Sequence, residues 1–280
     1  MLNVQTMSGK TCLVTGATSG IGKETAIQLA GMGANVIIVA RGEARGEAAA
    51  GEIRRHVPEA RVENLTADLS SLAQVRRLAD EVTARHDRLD VLVNNAGVIM
   101  TRRKLTVDGL ETTFATNHLA PFLLTTQLLD LLRHSAPARV VTVSSGAHRS
   151  ARSIPWHDMA RGKPDYGLSK LCNILFTVEL AKRTAGTGVT ANCLHPGFIR
   201  TELGREVTGV AGAMLKLILR LRPGPATGAK TSVYLATSPE VEGVTGGYFF
   251  KCKPTRPSAL ATDAEAAARL WTLSEELTNA

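Results

Sequence analysis

The chain has 280 residues, 44% of them apolar, 21% charged and 4% aromatic, which is enough for one large α/β domain with a well-filled core and too little for two full ones. Its 33 Lys and Arg against 25 Asp and Glu give a net charge of +8, but these charges are scattered, and no basic stripe with interleaved aromatics supports a nucleic-acid interface. The four cysteines, Cys12, Cys172, Cys193 and Cys252, lie far apart and two fall in apparent core strands, so neither a disulfide frame nor a metal site is expected.

The chain opens on Met1 to Thr6 and passes straight to an apolar run at Thr11, so no leader or membrane anchor is expected. The longest oily stretch, Val210 to Leu221, is cut by Lys216 and Arg220 and falls short of the ~20 residues a membrane span needs. The expectation is a soluble, cytoplasmic protein.

In chain order, Thr11 to Thr15 reads as a buried strand, followed by a glycine-rich turn and a helix from Lys23 to Met32 that stops at Gly33. Asn35 to Ala40 is a second buried strand, Arg45 to His56 a helix, Arg61 to Thr66 a strand, Leu72 to Arg85 a helix and Leu89 to Val93 a fourth strand. A helical stretch from Leu105 to Leu132, interrupted at Pro121, leads to strand Ala138 to Val143. Helix Tyr166 to Thr184, strands Val189 to Leu194 and Gly247 to Phe250, and an amphipathic helix over Ala261 to Leu277 follow. Short apolar strands alternating with helices predict a doubly wound, mostly parallel Rossmann sheet of about seven strands with helices on both faces, in a single domain over 1–280.

Gly16-Ala-Thr-Ser19-Gly20-Ile21-Gly22 lies between the first strand and its helix, where a dinucleotide pyrophosphate belongs. Glycine lets the backbone approach the phosphates, and the helix start offers free N–H groups and a positive dipole. The second strand ends in Ala40-Arg41-Gly42, where a carboxylate would bond a ribose 2′-hydroxyl. Arg41 suits a 2′-phosphate instead and favours NADP(H) over NAD(H), the competing reading being a solvated arginine at a strand end. Asp68 and Leu69 after the third strand are placed to meet the adenine, and Asn94-Asn95-Ala96-Gly97 after the fourth lets a ribose lie close. Ser145 closes the fifth strand, and 21 residues later Tyr166-Gly-Leu-Ser-Lys170 opens a helix with Tyr166 and Lys170 four apart on one face.

TGATSGIG (15–22), NNAG (94–97), VSS (143–145), YGLSK (166–170) and HPG (195–197) occur in the order found in the short-chain dehydrogenase/reductase family, which the chain resembles from Thr15 to Thr201. The text around them (VIIVARGEARGEAAAGEI, SKLCNILFTVELAKR, HPGFIRTEL) is similar to the retinol dehydrogenase-like branch. The resemblance implies an NADP-linked oxidoreductase acting on lipophilic alcohols and aldehydes.

Carried over, it makes Tyr166 the acid of reduction and base of oxidation, with Lys170 lowering the phenol's pKa and holding the nicotinamide ribose. Ser145, rather than Ser144, would bond the substrate oxygen. Asn117 would help hold a water relay to Lys170. Pro196 and Gly197 would border the nicotinamide, and Ile199 and Thr201 would meet its carboxamide. The long insert between Ser145 and Tyr166 is expected to wall the substrate site, and 202–225 to cover it. A small-molecule carbonyl or alcohol substrate and pairing into a homo-oligomer through the long helices are also implied. An NAD-linked steroid or small-alcohol dehydrogenase and a non-catalytic dinucleotide-binding redox sensor remain as alternatives, the second disfavoured by the intact Ser145, Tyr166 and Lys170.

Overall fold

The computed structural model describes residues 7–199 and 223–279. Among these residues eight strands form one sheet in the order β3-β2-β1-β4-β5-β6-β7-β8. They are β1 (Thr11–Thr15), β2 (Asn35–Ala40), β3 (Arg61–Thr66), β4 (Val91–Asn94), β5 (Ala138–Val143), β6 (Val189–Leu194), β7 (Tyr248–Phe250) and β8 (Lys253–Pro254). All neighbours are parallel except β7 and β8. The helices are α1 (Gly20–Gly31), α2 (Glu43–His56), α3 (Leu72–Arg85), α4 (Thr112–Phe114), α5 (Ala120–Gln127), α6 (Leu129–His134), α7 (Tyr166–Arg183), α8 (Pro225–Thr237) and α9 (Ala264–Thr278).

Two apolar layers follow from the two-residue period of the strands. Leu13, Ile37 and Leu92 point into a layer with Val75, Phe122, Phe176 and Leu270, while Cys12, Val14, Val36 and Ile38 point into another with Leu29, Ile53 and Leu235. Both faces of the central strands are therefore buried, which explains their continuous apolar runs. The strand order reverses between β1 and β4, so a crevice opens at the carboxyl ends of these strands. Among the described residues no helix is long and apolar enough to cross a membrane.

The structure departs from the sequence reading in three places. The fourth strand runs Val91–Asn94 instead of Leu89 to Val93, because Leu89 N–H is held by Ser135 Oγ at 2.8 Å and the Asp90 carboxylate is gathered in by Lys10, Arg88 and Thr11 N–H. The stretch predicted as helix from Leu105 begins only at Thr112: Leu105 bridges Glu111 across a turn, and the Glu111 carboxylate caps the N–H groups of Thr113 and Phe114. Residues Ala115–Leu119 then form a π turn, since Pro121 has no N–H to give to the Asn117 carbonyl in an α-helical register. Helix α8 and the short strand β8 were absent from the sequence reading.

The last helix lies on α7. Trp271 packs its ring 4.9 Å from Phe122 and 6.0 Å from Phe176, the Arg183 guanidinium covers its other side at 4.4 Å, and Ser274 Oγ meets the buried His118 Nε2 at 2.8 Å. This helix packs along α7 and reaches α5 through the Trp271 ring.

Candidate active site

A cleft of about 610 Å³ runs across the carboxyl ends of the central strands, from Arg41 at one end to Tyr166 and Gly197 at the other. Its floor is the turn between β1 and α1. Gly16 and Gly20 have φ of +66° and +58°, and a Cβ on Gly22 would stand 2.4 Å from the Gly16 carbonyl oxygen, so side chains are excluded on conformational and steric grounds alike. The NNAG segment fastens this turn. Thr15 Oγ1 accepts from Asn95 N–H at 3.0 Å and Ala96 N–H at 3.1 Å, while Asn95 Nδ2 donates to the carbonyls of Thr15 at 2.8 Å and Gly16 at 3.2 Å. Asn95 thus shapes the floor with its side chain turned onto the glycine backbone.

Ser19 is the N-cap of α1 without a side-chain capping bond, and the first N–H groups of the helix precede any intrahelical partner. Bare donors at a positive helix end, above a glycine cradle that a Cβ would fill, fit a dinucleotide pyrophosphate. Arg41 borders the cleft as expected, and so does Arg45, one helical turn further on; both are exposed and neither forms an ion pair among the described residues. The sequence reading missed Arg45, although its four-residue spacing from Arg41 was visible. Asp68 and Leu69 also border the cleft, with Asp68 Oδ1 accepting from Ser70 N–H at 2.9 Å and Oγ at 2.8 Å.

The pleat of β5 separates its two terminal serines. Ser144 is buried and donates to the Lys170 carbonyl at 2.7 Å, whereas Ser145 borders the cleft together with Tyr166, its Oγ accepting from Ala147 N–H at 3.2 Å. Tyr166 is the first residue of α7, whose N-cap Asp165 accepts from Leu168 N–H at 2.8 Å. Surrounding protein pushes the Tyr166 phenol above its ordinary pKa and the Ser145 hydrogen bond pulls it back. Lys170 is buried, and desolvation pushes its pKa down to about 8. Its Nζ donates to the Val143 carbonyl at 2.8 Å and lies 5.7 Å from the centre of the Tyr166 ring.

Asn117, fully buried in the π turn, grips Val98 at both ends: Oδ1 accepts from Val98 N–H at 2.7 Å, and Nδ2 donates to the Val98 carbonyl at 2.9 Å and to Ser169 Oγ at 3.0 Å. A Cβ on Gly97 would stand 3.4 Å from both Asn117 Oδ1 and Lys170 Nζ, so Gly97 keeps a narrow space between them. Thr116 beside it also borders the cleft, with a buried hydroxyl that has no partner.

Pro196, Gly197 and Ile199 form the far wall. His195 stays out of the chemistry: it stacks on Phe250 at 4.1 Å, its Nδ1 accepts from Gly197 N–H at 3.2 Å, and burial pushes its pKa down to about 4. Thr201 lies outside the described residues, as does the predicted covering segment 202–225 apart from its last three positions.

The insert between Ser145 and Tyr166 does not border the cleft. Its Trp156 packs under Arg269 of α9 at 4.5 Å, and its Ala160 carbonyl accepts from Glu111 N–H at 2.6 Å. The apolar wall comes instead from Val98–Met100 and Leu105–Val107, which the sequence reading did not single out. The physical signal was only a continuous VIM run after NNAG.

Residues 10–209 match a family model described as short chain dehydrogenase. The chain is 44% identical to human retinol dehydrogenase 14 over 292 residues, covering 96% of this chain and 86% of that protein. It is 45% identical to human retinol dehydrogenase 12 over 284 residues, covering 98% and 88%. Among solved structures, a protein from Mycobacterium paratuberculosis superposes with a TM-score of 0.79 at 36% identity, covering 99% of this chain and 96% of that one. The Pseudomonas aeruginosa RhlG/NADP active-site complex superposes with a TM-score of 0.71 at 29% identity, covering 94% and 98%.

Proposed function

The chain belongs to the short-chain dehydrogenase family, whose chemistry is hydride transfer between a nicotinamide dinucleotide and an alcohol or carbonyl, and from that premise we propose that it is an NADP(H)-linked enzyme for a lipophilic aldehyde, ketone or alcohol. The observation that carries the chemistry is that Ser145, Tyr166 and Lys170 meet at one end of the cleft, with Lys170 one turn along α7 from Tyr166.

NADP(H), when bound, supplies or accepts the hydride. In reduction Tyr166 gives its phenolic proton to the carbonyl oxygen, and in oxidation its phenolate takes the alcohol proton. Ser145 Oγ donates to the same oxygen and stabilises the charge that develops there. Lys170, with a pKa near 8, is largely an ammonium at neutral pH and favours the phenolate through the low-dielectric interior. The Asn117 carbonyl, deprived of an α-helical donor by Pro121, is the group we assign to hold a water on the proton path to Lys170.

Arg41 and Arg45 together support the NADP(H) preference, because two guanidinium groups without carboxylate partners suit a 2′-phosphate dianion. The aliphatic wall of Val98–Met100 and Leu105–Val107, with Val107 87% exposed, supports a lipophilic substrate, as do the names of the retinol dehydrogenases among the relatives.

Fluorescence titration with NADPH and NADH tests the cofactor reading. NADPH binds more tightly in the wild type, and Arg41→Ala weakens it by roughly 10–100-fold, the worth of a charge-assisted hydrogen bond, while leaving NADH unchanged. Equal binding of both cofactors, unmoved by the substitution, overturns the preference.

A further inference from the structure

Beside Ser145 lies a histidine that the proposed chemistry does not use. His148 is fully buried in the single 3-10 turn Gly146–Ser150 that follows β5. Its Nδ1 is 2.7 Å from the Ser145 carbonyl oxygen, and its Nε2 is 3.1 Å from the backbone nitrogen of Ser258. A carbonyl only accepts and a backbone N–H only donates, so the two contacts assign the tautomer between them. Nδ1 carries the proton and donates to Ser145, while Nε2 keeps its lone pair and accepts from Ser258. Tyr248 closes the remaining side, its hydroxyl 3.3 Å from Nδ1 and its ring edge-on at 5.1 Å.

The segment that supplies the Ser258 N–H is tied down on both sides of that contact. Thr255 N–H donates to the Tyr248 carbonyl at 2.8 Å, and the Arg149 guanidinium donates to the Arg256 carbonyl at 2.5 Å. The ring therefore joins the serine that faces the cleft to a segment 110 residues beyond the histidine itself.

We infer that His148 is a positioning residue: anchored by Ser258, it fixes the Ser145 peptide so that the serine hydroxyl meets the Tyr166 phenol and the substrate oxygen. The inference rests on the reading in which Ser145 bonds the reacting oxygen. Its geometric basis is that the Ser145 carbonyl receives both the His148 ring and the His148 main-chain N–H, the latter at 3.1 Å, so the peptide cannot rotate without losing two bonds. Burial, aided by the Arg149 charge, holds the ring neutral, as acceptance at Nε2 requires.

The test compares Ser145→Ala, His148→Ala, His148→Asn and His148→Gln in the full chain, measuring NADPH affinity, kcat and substrate KM with one lipophilic aldehyde, decanal. An asparagine amide nitrogen falls where Nδ1 stood and can still donate to Ser145, whereas a glutamine amide reaches the Ser258 side. His148→Ala lowers kcat by roughly 10–100-fold, as small displacements of a catalytic group do, with NADPH affinity kept. His148→Asn recovers most of that loss and His148→Gln does not. If His148→Ala fails to fold, the Asn and Gln variants decide alone. Equal kcat in those two, better rescue by Gln, or full kcat in a folded His148→Ala overturns the inference. Full turnover in Ser145→Ala overturns the catalytic reading itself, whereas an inactive Ser145→Ala beside an unimpaired His148→Ala overturns only the positioning role.

Discussion

The turns that follow β1 and β5 end parallel strands at the same edge of the sheet, yet they are held by different means. After β1 the turn is shaped by glycines at 16, 20 and 22 and braced by two short side chains, Thr15 and Asn95, that bond to its backbone. After β5 the shape depends on a buried ring, His148, whose partner Ser258 lies 110 residues away. A surface that meets phosphates needs close backbone approach and N–H groups, which glycine and a helix start provide locally. A surface that moves a proton needs side chains at fixed angles, and these are locked only by packing from elsewhere in the fold.

Substitutions that affect one turn and spare the other separate the two most sharply. Tyr166→Phe removes the acid/base and lowers kcat by roughly 10²–10⁴-fold with NADPH binding retained, which a titration beside a turnover assay will read. Loss of both together would mean that the two turns are not separable. Trp271→Ala takes the anchor of α9 from Phe122 and Phe176 and costs about 3–5 kcal/mol of stability, measured by denaturant unfolding. Because α7 carries Tyr166 and Lys170, the variant is expected to lose turnover at a lower denaturant concentration than it loses NADPH binding. Gly22→Ala acts in the opposite sense: the added methyl meets the Gly16 carbonyl oxygen, so NADPH affinity falls while the Ser145–Tyr166 pair stays in place.

The smallest expected effect is acid sensitivity. Burial holds His118 near a pKa of about 3 and His195 near about 4, both below the ordinary histidine value of 6.5. Above pH 6.5 both are neutral in the folded and unfolded chain. As pH falls below 6.5 the unfolded chain takes up protons that the folded chain refuses, so stability declines toward pH 4. Thermal unfolding at pH 7 and pH 4.5 is expected to show a smaller difference in His118→Gln than in the wild type; an unchanged difference would remove His118 from this account.

Much of the fold is legible in the sequence. Runs such as NVIIVA and ARVVTV are buried strands on composition alone, the glycine turn, NNAG and Ser145 follow strand ends where the crevice opens, and YGLSK opens the helix beside them. Fine boundaries were less so. The helix expected from Leu105 starts at Thr112, because the Glu111 cap and the Leu105–Glu111 bridge outweigh helical periodicity. The apolar cleft wall at 98–107 and the removal of the 146–165 insert from the cleft were not visible either, since a short apolar run looks the same whether it faces core or ligand.

The alternation of strand and helix, the glycine positions of the turn from Gly16 to Gly22 and the Tyr166–Lys170 spacing are written in the local sequence, because periodicity and glycine placement are properties of neighbouring residues. That Lys170 points to the Val143 carbonyl, that Trp271 packs on Phe122 and Phe176, and that His148 joins Ser145 to Ser258 follows only from the folded chain. Those contacts join segments far apart in the chain, and no local pattern records which partners the closed fold will bring within hydrogen-bonding distance.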